Sequence, residues 1–248
     1  MTELLIERTK GVVTLTLNRP EKRNALSASL VEALLAALED AAAADTRLLV
    51  LKGAGRNFSA GFDFTGLETQ SEGDLVLRFT RIEMLLQALY HAPFDTLALA
   101  HGQNFGAGVD LVCACARRIA EAGTRFQMPG LRFGILLGTR RTAARVGPTE
   151  ARRVLQEGRT FDGAAGLASG FLTELAATEH WDEVVRRAAE AATALTADAA
   201  ARLFDAVAQD TRNQDLAALV RSAALPGLKS RIEAYRCKSA PKWDPTWG

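Results

Sequence analysis

The spacing of apolar and polar positions changes along this chain, and each change marks an element. Near the N-terminus, LLIE is followed by Val13, Leu15 and Leu17 alternating with Thr14 and Thr16. That period of two belongs to a half-buried strand. Lys10–Gly11 supplies a tight turn between the runs, so residues 3–18 predict a β-hairpin. Pro20 ends it, because a proline pushes the residue before it out of the helical region, and Glu21–Leu26 reads as a polar loop. Ser27 can cap a helix to about Ala44, in which Leu30, Leu34, Ala37 and Ala41 recur at helical spacing. Arg47–Lys52 (RLLVLK) predicts a strand buried on both faces, as in a parallel sheet. Gly53-Ala54-Gly55 leads into the loop Phe58–Asp63, and Thr65 to about Gly73 reads as a polar, mobile connection. A helix follows from Asp74 to about His91. Pro93 stops it, and Thr96–Ala100 is a second buried strand.

The stretch His101–Cys115, HGQNFGAGVDLVCAC, then crowds glycines before an apolar helix. Arg117–Ala120 and Thr124–Gln127 predict short strands, and Met128 to Gly138 a loop punctuated by Gly and Pro. Beyond it the pattern is helical: Thr139–Val146, Pro148–Glu157 and Gly163–Ser169, then an edge strand ending at Leu175, then helices near Trp181–Leu195, Ala197–Gln209, Gln214–Ala224 and Leu225–Tyr235. The tail SAPKWDPTWG predicts irregular structure. Strand–helix units in the first half and helices in the second define an α/β core with a helical C-terminal region.

At 248 residues the chain can bury one large core. A net charge of +1 gives no general attraction to nucleic acid or membrane. Three cysteines make no disulfide framework, which fits a reduced, cytosolic compartment. No leader opens the chain and no apolar run is long enough to span a bilayer. The dinucleotide fingerprint lacks its third glycine, no phosphate loop is present, and His91, His101 and His180 have no metal-ligand spacing.

Two loops carry the candidate chemistry. Phe58–Asp63 and Gly102–Asp110 each leave a buried strand, and each holds glycines where backbone N–H groups can approach a ligand. Two N–H groups from separate loops make an oxyanion hole, and Asp110 in the first helical turn places a carboxyl beside it.

These residues resemble the crotonase (enoyl-CoA hydratase/isomerase) family, from about Leu4 to Trp243. The resemblance is carried by Leu17–Leu26 (LNRPEKRNAL), Phe58–Asp63 (FSAGFD) and Gly102–Leu111 (GQNFGAGVDL) in the family's order and spacing. It implies a spiral of ββα units over residues 1–195, and a helical trimerisation region over 196–248 that forms a homotrimer or a dimer of trimers. It also implies an acyl-CoA thioester as partner, no nucleic acid or membrane, and no cofactor or metal beyond the coenzyme A carried by the substrate. By the same resemblance the hole N–H groups come from Phe62 and Ala107. Ala25, Ala60 and Phe62 match backbone positions near coenzyme A, while Arg23 and Lys238 match cations that approach its phosphates.

The chain departs from that pattern at two acids. Asp110 matches the first hydratase glutamate, one methylene shorter. Gly130, in Met128–Gly134 (MPGLRFG), stands where the second acid belongs, and Gly138 stands where some members carry an aspartate. One carboxylate can shuttle a proton between two carbons, as an enoyl-CoA isomerase requires, whereas hydration asks for two groups. The alternatives are a thioesterase or decarboxylase, or an acyl-CoA binder or scaffold without turnover. Asp63 is expected to brace its loop, His101 to be structural, His91 to lie on a helix surface, and Arg132, Arg140 and Arg141 to be solvated.

Overall fold

A computed structural model describes residues 2–239, with the side chains of residues 238 and 239 outside that description. The segment expected to form an irregular tail also lies almost wholly outside it. The strands are β1 (Leu4–Thr9), β2 (Val12–Leu17), β3 (Leu48–Gly53), β4 (Asp95–Ala100), β5 (Gln103–Phe105), β6 (Arg117–Ala120), β7 (Arg125–Gln127), β8 (Thr160–Asp162) and β9 (Glu174–Leu175). The helices are α1 (Ala28–Ala43), α2 (Glu72–Tyr90), α3 (Ala107–Ala114), α4 (Thr139–Val146), α5 (Pro148–Glu157), α6 (Gly163–Ala168), α7 (Trp181–Ala192), α8 (Ala197–Val207), α9 (Arg212–Ala223) and α10 (Leu228–Ser239).

The hairpin forms as the pattern requires. Lys10 and Gly11 both take positive φ, the backbone that a two-residue turn needs to match strand twist. β1 pairs antiparallel with β2, and β2, β3, β4, β6 and β9 then run parallel in one sheet. β5, β7 and β8 make a second, smaller sheet. Thus β4 and β6 each send the chain from the large sheet into the small one, at β5 and β7, before a helical segment follows. That is a ββα spiral.

β3 and β4 are apolar on both faces because both faces are covered. Leu49 and Leu51 join the main core with α1 and α2, whereas Leu48, Val50, Leu97 and Leu99 pack under Val184 and Ala188 of α7. α9 packs along α2, and α10 against α2 and the 3-10 turn Gly130–Phe133, where Arg231 Nη1 donates to the Phe133 carbonyl at 2.8 Å. The C-terminal helices α9 and α10 therefore fold back on the core of their own chain. α8 buries only Ala200.

The connection expected to be polar and mobile is anchored instead. Leu67, 1% exposed, sits in a 3-10 turn, and Ser71 and Asp74 form a reciprocal capping box that starts α2 at Glu72. β5 and β8 were not visible in the pattern, because three-residue strands such as QNF and TFD are too short to show a period and exist only through pairing with β7. No helix among the described residues is long and apolar enough to cross a membrane.

Candidate active site

The two glycine-bearing loops lock together through buried polar side chains. Asn104 Oδ1 accepts from Ser59 N at 3.0 Å, the Ser59 carbonyl accepts from Phe105 N at 3.2 Å, and Asn57 Oδ1 accepts from Gln103 N at 2.8 Å. Asn24 Nδ2 donates to the carbonyls of Ala54 and Asn57, both at 2.8 Å. Asn24 and Asn104 are essentially inaccessible. Their amides satisfy backbone groups that no sheet ladder reaches. Sequence reasoning missed this role; the clue is asparagine in a loop, which is too common to be decisive.

Gly61 sets the approach of the loops. Its φ is +78°, and a Cβ added there would lie 2.2 Å from the Phe105 carbonyl oxygen and 3.1 Å from Ala107 N. The residue preceding Phe62 therefore lies directly against the residues preceding Ala107. Leu26 N and Asp63 N bridge to Gly61 O and Leu26 O at 2.7 and 3.3 Å, which leaves Phe62 N outside the pairing. Ala107 opens α3 without positive φ, so its N–H is one of the unpaired donors of a helix start. Neither N–H finds an acceptor among the described residues. Gly61→Ala is expected to destabilise the fold by about 1–3 kcal/mol through clash and left-handed strain. A denaturant midpoint equal to the parent's would show that the loops do not need this contact.

The Phe62 ring is fixed from two sides. It stacks on Phe79 at 4.3 Å, and the Arg78 guanidinium lies 4.1 Å from its centroid while donating to the Asp63 carbonyl at 2.7 Å. Asp63 accepts from Thr65 N at 2.9 Å and pairs with Arg19 at 2.8 Å. Burial works to raise its pKa, but the bonds from Thr65 and Arg19 outweigh it and hold the carboxyl below its usual value. Asp63 is a brace.

A cavity of about 790 Å³ opens between these loops, the Gly130–Phe133 turn and α10. Arg23, Ala25, Ala60, Phe62, Ala107 and Asp110 all line it, as do Gly130, Tyr235 and Arg236. Glu21, Lys22 and Arg23 are exposed at its rim, whereas Asp110 is 3% exposed. The Arg23 side chain has no partner among the described residues, and its carbonyl accepts from Ala60 N at 2.8 Å. The Ala25 carbonyl accepts from Arg19 Nη1 and Ser27 N. The Lys238 side chain lies outside the described residues. Arg236 and Tyr235 of α10 were not foreseen, since nothing local in their sequence ties a C-terminal helix to a loop a hundred residues earlier.

Asp110 Oδ1 is buried and has no hydrogen-bond partner among the described residues. Burial pushes its carboxyl well above the ordinary carboxylate range. Arg141 opposes that shift, and Glu83 adds to it. Neither Gly130 nor Gly138 offers a side chain. Beside Asp110 lies an ion cluster whose Arg141, Glu83 and Asp215 are buried. Arg141 clamps Glu83 through both terminal nitrogens and reaches Asp215 at 3.4 Å, while Arg140 holds Asp215 at 2.9 Å. Arg141 was expected to be solvated; it is 3% exposed, because helices α2, α4 and α9 close around it. Arg140 is exposed, as expected of a solvated charge, although it pairs with Asp215. Arg132 is exposed, although its guanidinium caps the Glu157 carbonyl. His91 is half-buried at the end of α2, and His101 Nε2 meets the Gly55 carbonyl at 2.8 Å.

The arrangement offers two N–H groups without acceptors among the described residues, a chamber of mixed polar and apolar lining, and in Asp110 a carboxyl held in a dry wall. No cluster of metal-ligating side chains occurs among the described residues.

Comparison with known proteins identifies the family. The family model described as enoyl-CoA hydratase/isomerase matches residues 7–228. The chain is 31% identical over 179 residues to a probable enoyl-CoA hydratase of Mycobacterium leprae, covering 69% of this chain and 70% of that one. It is 34% identical over 184 residues to the 2,3-dehydroadipyl-CoA hydratase of Escherichia coli, covering 71% and 69%. A solved Bordetella parapertussis structure described as an enoyl-CoA hydratase/isomerase superposes with a TM-score of 0.94 at 53% identity, over 95% of this chain and 98% of that one. With most of its length matched in sequence and in fold, this chain belongs to the enoyl-CoA hydratase/isomerase family, the crotonases.

Proposed function

We propose that this protein binds an enoyl-CoA thioester in the 790 Å³ cavity and moves one proton on it, with Asp110 as the shuttle. The observation that carries the reading is the pairing of two unengaged N–H groups, on Phe62 and Ala107, with Asp110, the cavity-lining carboxyl that keeps a buried oxygen without a partner among the described residues. A thioester carbonyl seated at those donors becomes more acidic at Cα, because the enolate oxygen receives preorganised hydrogen bonds. From a 3-enoyl thioester, the Asp110 carboxylate takes a proton from Cα and the electron pair moves into the carbonyl. The oxygen holds the negative charge while the dienolate forms. The dienolate then collapses as Asp110 returns the proton to Cγ, giving the 2-enoyl thioester. No water enters, and no second acid is needed.

Net hydration requires a group to activate water as well as one to manage the proton at Cα. Gly130 leaves that second place without a side chain, so hydration is expected to be the weaker activity. Coenzyme A enters with the substrate, and its phosphates meet Arg23 and Arg236, which line the cavity; Lys238 is the further cation that the family resemblance assigns to them. Leu203 and Val207 on α8, 47% and 73% exposed, give a homotrimer or a dimer of trimers apolar surface to bury. Three unpaired cysteines, two of them buried, fit a cytosolic setting.

A panel of 2-enoyl-, 3-enoyl- and saturated-CoA thioesters, followed by absorbance and mass, tests the assignment. Isomerised product of unchanged mass supports it. Free coenzyme A from the saturated ester would instead make the protein a thioesterase, and binding without turnover a scaffold. Gly130 offers a sharper check. A Cβ there meets only the Ile135 carbonyl oxygen, at 3.3 Å, and its backbone is not left-handed. Gly130→Glu is expected to raise the ratio of hydrated to isomerised product by about ten- to a hundredfold. An unchanged ratio in the folded variant would remove the missing acid as the cause of weak hydration.

A further inference from the structure

The two positions that lack an acid are not equivalent. Gly130 lines the cavity, and an added Cβ there meets only the Ile135 carbonyl oxygen, at 3.3 Å. Gly138, the residue capping the start of α4, faces Asp110. A Cβ built on Gly138 would lie 2.0 Å from Asp110 Oδ1 and 2.7 Å from its Cγ. The carboxyl of Asp110 thus already occupies the volume into which a side chain at 138 would grow. Around it the wall is fixed. Gly138 O accepts from Thr142 N at 2.9 Å in the first turn of α4, and α3 and α4 pack side by side. Oδ1 is buried and accepts no hydrogen bond from Gly138 or from any other described residue.

We propose that Gly138 is the positioning residue of this site: by giving up its side chain it reserves one location for a carboxyl, which Asp110 fills from α3 and which residue 138 can fill from α4. The proposal rests on the proton-shuttle reading of Asp110. Its content is that location matters and the backbone that supplies the acid does not. Gly138 has φ +63°, a left-handed backbone that Asp and Asn accept more readily than other side chains. An aspartate at 138 is therefore compatible with the chain path, provided the volume is vacant.

The expected result is a reversal of sign. In the parent protein Gly138→Asp drives two carboxyls into one volume and lowers turnover of a 3-enoyl-CoA. In an Asp110→Ala background, where the volume is empty, the same substitution raises turnover roughly tenfold or more above Asp110→Ala alone, a fraction of what a well-placed acid–base group gives. Asp110→Ala with Gly138→Asn is the control. It fills the space with the same shape but cannot take up a proton, and it stays at the Asp110→Ala level. The relocated aspartate also restores a pH-dependent rise in rate that the asparagine control lacks. A structural role alone would not separate these two.

The proposal is overturned if Asp110→Ala with Gly138→Asp binds acyl-CoA as the parent does yet turns over no faster than the asparagine control. It is also overturned if Gly138→Asp alone leaves activity unchanged. A second measurement does not depend on activity. Gly138→Ala is expected to lower the melting temperature more in the parent than in the Asp110→Ala background, and equal losses would show that the two residues do not share a volume. If Asp110→Ala by itself keeps full turnover, the shuttle reading fails first. Loss in Asp110→Ala without rescue leaves that reading standing and removes only this one.

Discussion

Asp110→Asn is expected to lower turnover of an enoyl-CoA by about 10²–10⁴-fold, the usual contribution of a positioned acid–base group, while acyl-CoA still binds. Asparagine preserves the shape of the side chain in its buried slot, so the loss reads the proton and not the fold. Full activity in this variant would end the proton-shuttle assignment. The pH profile adds a sign. Removing a Cα proton requires the carboxylate, and burial holds the Asp110 carboxyl well above its ordinary range. The rate is therefore expected to rise with pH through an inflection displaced upward from that of a free carboxyl, and the Asn variant should lack this limb. Stability moves the other way. The folded chain keeps the Asp110 proton to higher pH than the unfolded chain, whose carboxyl titrates near about 3.9. Its contribution is complete below that value and is lost as pH rises through the raised folded value. Asp110→Asn should flatten that part of the stability profile, measured by melting at several pH values.

Arg141→Met is expected to cost about 3–5 kcal/mol of folding stability, because it leaves buried Glu83 facing buried Asp215 without their shared cation. For a chain of this size that is a fall in melting temperature of roughly 10 °C. Burial works against the charge on Arg141, but the Glu83 clamp and the nearby carboxylates hold its pKa above the ordinary arginine value. The companion experiment replaces Glu83 and Asp215 by Leu together with Arg141→Met. Filling the volume with apolar groups should recover most of the loss, since the whole set can be exchanged at little cost even though breaking it is expensive. A single Arg141→Met variant within about 1 kcal/mol of the parent would show that water or another group reaches the cluster. The cluster joins α2, α4 and α9, so its integrity also fixes α4, whose first turn carries the Gly138 wall of the site.

Local chemistry determined a good deal here. The β1–β2 hairpin follows from alternation and from Lys10–Gly11, and the paired burial of β3 and β4 follows from unbroken apolar runs. The oxyanion candidates were legible because glycines mark where backbone must come close, and because their order and spacing match a known family. The absence of an acid at Gly130 and Gly138 was legible too, since a missing side chain is a fact of sequence. What sequence could not reach were quantities set by distant segments. Three-residue strands β5 and β8 exist only by pairing. Arg141 looked like a surface charge because its two carboxylate partners lie on α2 and α9, far away in the chain. Asp110 was visible as a carboxyl at a helix start, but its burial, its raised pKa and its hold on the space beside Gly138 come from α3 meeting α4. Composition and spacing decide which groups a chain owns. Only tertiary packing decides which of them lose water, which share a volume and which face an empty place, and the proton chemistry depends on those three things.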